Sequence, residues 1–229
     1  MDWLNGLVLV LLTSAGFLVG QGLRHNLKLL GYRRITGPGH DERNLPYPGS
    51  RVWVPIALGG AWLLLGLAFS GQSWPWLLLW LPFASVGCWL AAVDFDVRRL
   101  PDKVQWPLGL YCLVVGSGLV LAGMGSWLTG LIAAGVCSLA FLAINLISHE
   151  KVGFGDVKLV LICGWCLGLL DWVTVLVGLA TACILALLYA AVRRTRRFSF
   201  GPWLIGGSVV SACAFGLSWG GEIAIILSR

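Results

Sequence analysis

Apolar residues along this chain fall into eight long runs that short polar segments separate. A helical run of about 20 residues, at about 1.5 Å of rise per residue, spans the hydrocarbon core of a bilayer. The pattern therefore predicts an all-α fold, a polytopic membrane bundle of about eight transmembrane helices forming a single domain over residues 1–229. The predicted spans are residues 3–22, 52–70, 75–93, 104–122, 127–147, 157–170, 173–192 and 203–219.

The composition supports a membrane protein and argues against a nucleic-acid partner. Hydrophobic residues make up 58% of the chain and charged residues 11%, whereas a soluble domain is about half apolar and about a quarter charged. The net charge of +6 would suggest nucleic acid as a partner in a soluble protein. Here the basic residues are better explained as signals of membrane topology, and the expected surroundings are the lipid bilayer.

The distribution of Lys and Arg predicts which loops face the cytosol. Of the 16 such residues, 15 lie in loops 24–51, 94–103, 148–158 and 193–197, and the intervening turns hold none. The positive-inside rule then places these four loops in the cytosol and both termini outside. No Lys or Arg precedes the first apolar run, so we expect an uncleaved first helix in a multi-pass protein of the cell (inner or plasma) membrane.

Two aspartates at the cytosolic ends of predicted spans are the main candidates for chemistry. Asp94 opens the segment 94–102, and Asp156 follows Gly153 and Gly155, which allow the backbone to bend tightly. An acid at the mouth of a membrane helix is costly and is therefore a functional candidate. Two close carboxylates share a proton, so that one draws a proton from water and the other donates to a scissile carbonyl, without a metal.

Two other readings of these acids stay open on chemistry alone. Both could be helix-end charges, since a carboxylate such as Asp156 is favoured where a helix begins. They could also relay protons or ions in a transporter, which would require further polar groups deep within the spans. Beyond Gln105 and Asn145, the spans hold few polar residues other than Ser and Thr, which weighs against the transporter.

Three motifs resemble those of the prepilin peptidase family of membrane aspartic proteases. The segment Gly153-Phe-Gly-Asp-Val-Lys-Leu159 resembles its GxGD signature, which continues as Asp-x-Lys-Leu. The segment Asp94-Phe-Asp-Val-Arg-Arg-Leu-Pro-Asp102 is similar to its other acidic signature, and Phe200-Gly-Pro-Trp203 resembles a Phe-Gly-Pro-Phe element before the last helix. The resemblance covers residues of about 75–220, which we take as the expected peptidase core.

The resemblance implies an activity, a substrate class and a set of site residues. It implies an aspartic endopeptidase, active on the cytosolic side, that removes the leader of type IV prepilins or type II secretion pseudopilins. Such substrates carry an apolar N-terminal helix, and the cut follows a glycine at the end of the leader. The implied catalytic pair is Asp94 and Asp156. The implied supporting residues are Gly153, Gly155, Lys158, Pro101, Asp102, Gly201 and Pro202.

Two nearby acids rival Asp94 for the first catalytic role. We expect Asp96 to be a solvated loop charge paired with Arg98 or Arg99. We expect Asp102, which follows Pro101, to cap the next helix. Lys158 has three readings that the sequence leaves open, because it could hold the loop, tune the acid pair or extend to the membrane interface.

The first cytosolic loop, residues 24–51, departs from the family. Many bacterial members carry two CxxC pairs there, which the family associates with zinc, and also methylate the new N-terminus. This loop has no cysteine, and instead carries His25 and His40, with Asp41 and Glu42. The two histidines are expected to be solvated. Proteolysis is expected to need no metal or cofactor, and S-adenosylmethionine is retained as a weaker candidate for a second activity. The seven cysteines lie in apolar runs and are expected to be free and buried.

Overall fold

The computed structural model of this chain describes residues 3–34, 42, 45–147, 153–194 and 199–227. Within these residues the fold is all-α, as predicted, with eight α-helices and one turn of 3-10 helix at Gly71–Ser73. The helices are α1 (Trp3–Lys28), α2 (Trp53–Ala68), α3 (Trp76–Val97), α4 (Asp102–Leu121), α5 (Trp127–Ile147), α6 (Phe154–Gly168), α7 (Trp172–Arg193) and α8 (Gly201–Leu227).

Six of the described helices are long and apolar enough to cross a membrane, namely α1, α3, α4, α5, α7 and α8. The other two are shorter, with 16 residues in α2 and 15 in α6. At about 1.5 Å per residue, α6 rises about 22 Å, less than the hydrocarbon core of about 30 Å. The predicted all-α, multi-pass bundle of about eight helices is therefore confirmed, and six of the described helices are long and apolar enough to span a membrane.

Helix α6 lies at the centre of the bundle and packs on α4, α5, α7 and α8. Small residues allow α5 and α6 to come together closely. A Cβ atom on Gly164 would lie 3.0 Å from the backbone oxygen of Ala133, and one on Gly168 would lie 2.6 Å from the Cβ of Ala133. Such close helix pairs are typical of membrane bundles, in which packing rather than hydrophobicity drives association. The result is an almost fully buried α6 that presents its first turn to the site.

Helix α3 is longer than its sequence predicts. It continues through Asp94 and Asp96 to Val97, so both acids lie in the last turns of a helix rather than in a loop over residues 94–103. Arg98 then adopts a left-handed conformation with φ of 50°, and its N–H donates to the Asp94 carbonyl. This is a common way to end a helix. The polar residues remain helical because their carboxylates find partners within the bundle, as described below.

Candidate active site

The structure brings the two predicted catalytic acids together at one end of the bundle. Here α3 ends, and α4, α6 and α8 begin. A cavity of about 260 Å³ is lined by both Asp94 and Asp156, together with Arg98, Arg99 and Leu100 from the connection between α3 and α4. The placement of both acidic segments at the same end, which the sequence predicts, is thus observed. That this end faces the cytosol stays a prediction.

Asp94 is buried, with 5% of its surface exposed, and its carboxylate accepts hydrogen bonds from the start of α8 and from the segment just before it. The Ser199 hydroxyl and the Gly201 backbone N–H both donate hydrogen bonds to it. A Cβ atom on Gly201 would lie 2.7 Å from the Asp94 Oδ2 atom, so only glycine permits this approach. Pro202 is buried in the first turn of α8, where a missing N–H breaks no helical hydrogen bond. The supporting roles predicted for Gly201 and Pro202 therefore have a physical basis.

Ser199 is a part of the site that sequence reasoning missed. Its hydroxyl reaches Asp94 across 105 positions of the chain, so no local pattern marks the contact. The available signal was its place directly before Phe200-Gly-Pro, because Ser is common just ahead of a helix, where its hydroxyl bonds to nearby groups. Ser199 instead uses its hydroxyl on the carboxylate of another helix.

Asp156 lies in the first turn of α6, outside the six spanning helices, and also lines the cavity. Burial, followed by the charge of Asp94, raises the pKa of its carboxyl from 3.8 to about 7. Both effects disfavour a second negative charge in a desolvated cavity. The Asp156 carboxyl therefore stays partly protonated near neutral pH. A two-aspartate hydrolysis requires one protonated carboxyl of this kind.

The two motif glycines before Asp156 have different roles. A Cβ atom on Gly155 would lie 3.0 Å from the Cβ of Leu100, so this glycine lets α6 approach the connection between α3 and α4 closely. Its carbonyl also accepts a hydrogen bond of 2.9 Å from Gln105 of α4. Gly153 has φ of −66° and ψ of 139°, an extended conformation that any residue adopts. The predicted need for glycine flexibility is therefore not seen at Gly153.

Asp96 is not the solvated loop charge that the sequence predicts, and it does not pair with Arg98 or Arg99. Its side chain is 6% exposed and forms ion pairs with Arg33 at 2.8 Å and Arg51 at 3.3 Å. The Tyr32 hydroxyl also donates to it, at 2.5 Å. Because all three partners come from the first loop, Asp96 serves to join that loop to α3. It is not among the residues that line the cavity.

Asp102 does not cap α4 with a side-chain hydrogen bond, contrary to prediction. It is the first residue of the helix, after the buried, extended Pro101, and its Oδ1 atom lies 2.7 Å from the Lys158 ammonium. That ammonium also lies 5.1 Å from the Phe154 ring centroid and 5.9 Å from that of Trp106. Of the three readings of Lys158, the structure therefore favours the one in which it holds two elements together.

No group of three or more His, Cys, Asp or Glu in the described part of the chain is arranged to hold a metal ion. Glu42 of the first loop pairs with Arg99 at 2.9 Å, while His40 and Asp41 lie outside the described residues. All seven cysteines are free, and all are buried except Cys183. Cys163 and Cys166 are thus packed inside α6, as expected.

Comparisons with known proteins agree with the two acidic motifs, at residues 94–102 and 153–159. A family model for the "Type IV leader peptidase family" matches residues 81–191, inside the expected core of residues 75–220. The chain is 34% identical over 131 residues to "Prepilin leader peptidase/N-methyltransferase" of Escherichia coli (strain K12). This match covers 53% of the chain and 56% of that protein, so the chain spans about half the length of this relative. No solved structure matches it.

Proposed function

We propose that this chain, whose residues 81–191 match the model of the type IV leader peptidase family, is a membrane-embedded aspartic endopeptidase of that family. Its proposed substrates are type IV prepilins or type II secretion pseudopilins, from which it removes the short cytosolic leader. The observation that carries this proposal is the pairing of Asp94 and Asp156 in one cavity, with the pKa of Asp156 raised to about 7. Proteolysis by this pair requires no cofactor.

In the proposed mechanism, the ionised Asp94 takes a proton from a water molecule. The water oxygen attacks the scissile carbonyl carbon, while Asp156 gives its proton to the carbonyl oxygen. The C–N bond of the resulting tetrahedral intermediate then breaks. The proton held by Asp94 passes to the leaving amine, and one of the two hydroxyl groups of the intermediate returns a proton to Asp156, which restores the starting state of the pair. The donors Ser199 and Gly201 hold the Asp94 carboxylate in place throughout. Orientation by fixed donors of this kind is a large part of catalysis in a water-poor site.

The proposed location of the cut follows from the topology of the chain. The basic loops predict that the end of the bundle with the cavity faces the cytosol, where the leader of a prepilin lies. The cavity lies at the end of α3 and the beginning of α6. A substrate whose apolar helix begins just after the cut would therefore present its scissile bond at the membrane edge, where the acid pair lies.

Removal of the leader from a candidate substrate tests this proposal. The chain is coexpressed with a prepilin or pseudopilin in a host that lacks its own peptidase, beside Asp94→Asn and Asp156→Asn variants, and the substrate mass is followed. We expect clipping by the parent and none by either variant. Clipping by Asp94→Asn at the parental rate would assign the first role to another acid. A well-inserted parent that clips none of the substrates would favour the carboxylate-relay transporter.

Methylation of the new N-terminus, with S-adenosylmethionine as donor, is a second candidate activity. It is favoured by the name of the E. coli relative, which couples both activities. It is disfavoured by the absence of cysteine from loop 24–51, which departs from many bacterial members. The same mass spectra decide, since a methylated product is heavier than the clipped chain by one methylene group.

A further inference from the structure

Helix α6 has one exposed strip although the rest of its surface is buried. The strip consists of Phe154, Lys158 and Leu161, with Phe154 58% and Leu161 47% exposed. These positions are spaced i, i+4 and i+7, so they lie on one face of the helix. Residues 162–169, which follow directly, are all buried. The exposed part of α6 therefore begins beside the catalytic acid and extends about 10 Å, at about 1.5 Å per residue.

Helices α4 and α5 form the two sides of this strip. On one side, Gly109 of α4 contacts Ile162 of α6, because a Cβ atom on Gly109 would lie 3.3 Å from the Ile162 side chain. On the other side, Gly164 of α6 packs directly on Ala133 of α5. The strip lies between these two contact faces on the helical wheel of α6. The exposed residues thus form the floor of a groove that α4 and α5 flank.

The groove is closed at the end far from the acids. There the Trp165 ring fills the space between the flanking helices. It packs so closely that a Cβ atom added to Gly116 of α4 would lie 2.9 Å from the ring, and one added to Gly130 of α5 would lie 3.1 Å from it. Its indole N–H also donates to the Cys112 carbonyl of α4, at 3.0 Å. At the other end, Phe154 and Lys158 also line the cavity that contains the acid pair. The groove is therefore continuous with the catalytic cavity and closed below it.

We propose that this groove, with Leu161 in its floor, receives the first turns of the substrate's apolar helix from the bilayer. The inference rests on the proposed function and adds an access route and a binding surface to it. The groove fits this occupant because the apolar side chains of Leu161 and Phe154 lead directly to the acid pair, while the Lys158 ammonium between them is bound to Asp102. A helix lying along α6 would place the residue before its first turn, the scissile position, at Phe154 and Asp156.

Photocrosslinking tests the occupant directly. p-Benzoylphenylalanine replaces Leu161 in the full chain, in an Asp156→Asn background that leaves the substrate uncut. The matched control places it at Leu18, which is 69% exposed on α1, a helix that packs on α2 and α3. We expect severalfold more crosslinked prepilin at position 161 than at position 18. Equal yields at the two positions, or adducts at 161 that contain lipid alone, overturn the groove as a substrate site.

A larger side chain at position 161 provides a kinetic test of the groove, because it should raise KM for the substrate. We expect Leu161→Trp to raise KM for a full-length prepilin about fivefold or more, since the added ring occupies space that the substrate needs. Leu18→Trp should leave KM unchanged. A Leu161→Trp variant with parental KM overturns the proposal. If the parent clips the substrate but neither test identifies position 161, the groove is wrong and the proposed function stands. If the parent clips nothing, the proposed function and the proposed substrate in the groove are both overturned.

Discussion

At the scale of single residues, Gly201 sets the distance between α8 and Asp94. A Cβ atom there would lie 2.7 Å from the Asp94 Oδ2 atom, closer than real Cβ contacts allow, so Gly201→Ala must displace the carboxylate. We expect this variant to insert and fold but to lose cleavage by ~10²-fold, the effect of a small displacement of a catalytic group. The measurement is kcat for leader removal, with the melting temperature followed in parallel.

The control for Gly201→Ala is Gly206→Ala in the same helix. A Cβ atom on Gly206 meets nothing within 4 Å, and Ala is favoured over Gly in a helix by about 1 kcal/mol. Gly206→Ala should therefore retain parental kcat with equal or higher stability. If both variants lost activity to the same extent, helix α8 as a whole would be responsible rather than the contact of Gly201 with Asp94.

The raised pKa of Asp156 predicts an alkaline limit to activity. The carboxyl is protonated below its pKa of about 7 and ionised above it. The reaction needs that proton, so we expect kcat to fall about tenfold per pH unit above this value. The assay is single-turnover clipping in lipid nanodiscs from about pH 5 to about pH 9. A rate that stays constant to the alkaline end would show that Asp156 is not the proton donor.

Stability has to be followed across the same pH range. Because the folded pKa of Asp156 lies above its ordinary value of 3.8, the folded state holds this proton more tightly than the unfolded state does. Its contribution to stability is present at low pH and is lost as the pH rises through about 7. Only a loss of rate in protein that remains folded therefore reports on the catalytic proton.

At the scale of elements, the pair Asp102–Lys158 joins the first turns of α4 and α6. Both residues line the cavity, and the pair is partly exposed, so its strength is about 1 kcal/mol or less. We expect Asp102→Lys and Lys158→Asp each to lower kcat/KM about fivefold, because like charges then separate the helices. The exchanged pair, Asp102→Lys with Lys158→Asp, should recover most of the loss.

Lys103→Asp is the control for the exchange experiment, since it reverses one charge in the same turn without altering the pair. It should have little effect on kcat/KM. An exchanged double variant as poor as the product of its two single variants would contradict the coupling of α4 to α6 through this contact. A double-mutant comparison of this kind separates the pair interaction from effects of each residue alone.

The sequence predicted a feature of the site where neighbouring residues in the chain determine that feature, and missed it where distant residues do. Asp94, Asp156 and Gly201 each lie in a short motif beside apolar runs, so their roles could be predicted and their meeting is observed. The helical state of residues 94–97 was missed because charges next to an apolar span suggested a loop. Asp96 can remain in the helix because its buried carboxylate is paired with Arg33. These two residues are 63 positions apart in the chain, so only the folded bundle reveals the pairing.

At the scale of the whole molecule, one buried carboxylate organises the first loop. Asp96 binds Arg33 and Arg51, which come from the two ends of that loop. Arg33 donates further bonds to the Leu45 and Pro46 carbonyls, and Arg51 donates to the Leu27 carbonyl at the end of α1. The described parts of the connection between α1 and α2 are therefore fixed to α3 two residues beyond Asp94. Basic residues that the sequence predicts to be topology signals thus also contribute to the packing of the fold.

This arrangement predicts that Asp96→Asn destabilises the protein without abolishing catalysis. The change leaves two buried guanidinium groups without a carboxylate, and breaking a buried pair in this way costs about 3–5 kcal/mol. The control is Asp171→Asn at the start of α7, where Asn replaces Asp as an N-cap with little loss. Thermal unfolding in lipid compares the two variants, and clipping is measured below both transitions. If a fully folded Asp96→Asn variant no longer clipped the substrate, Asp96 would take part in the reaction and would again compete with Asp94 for the first catalytic role.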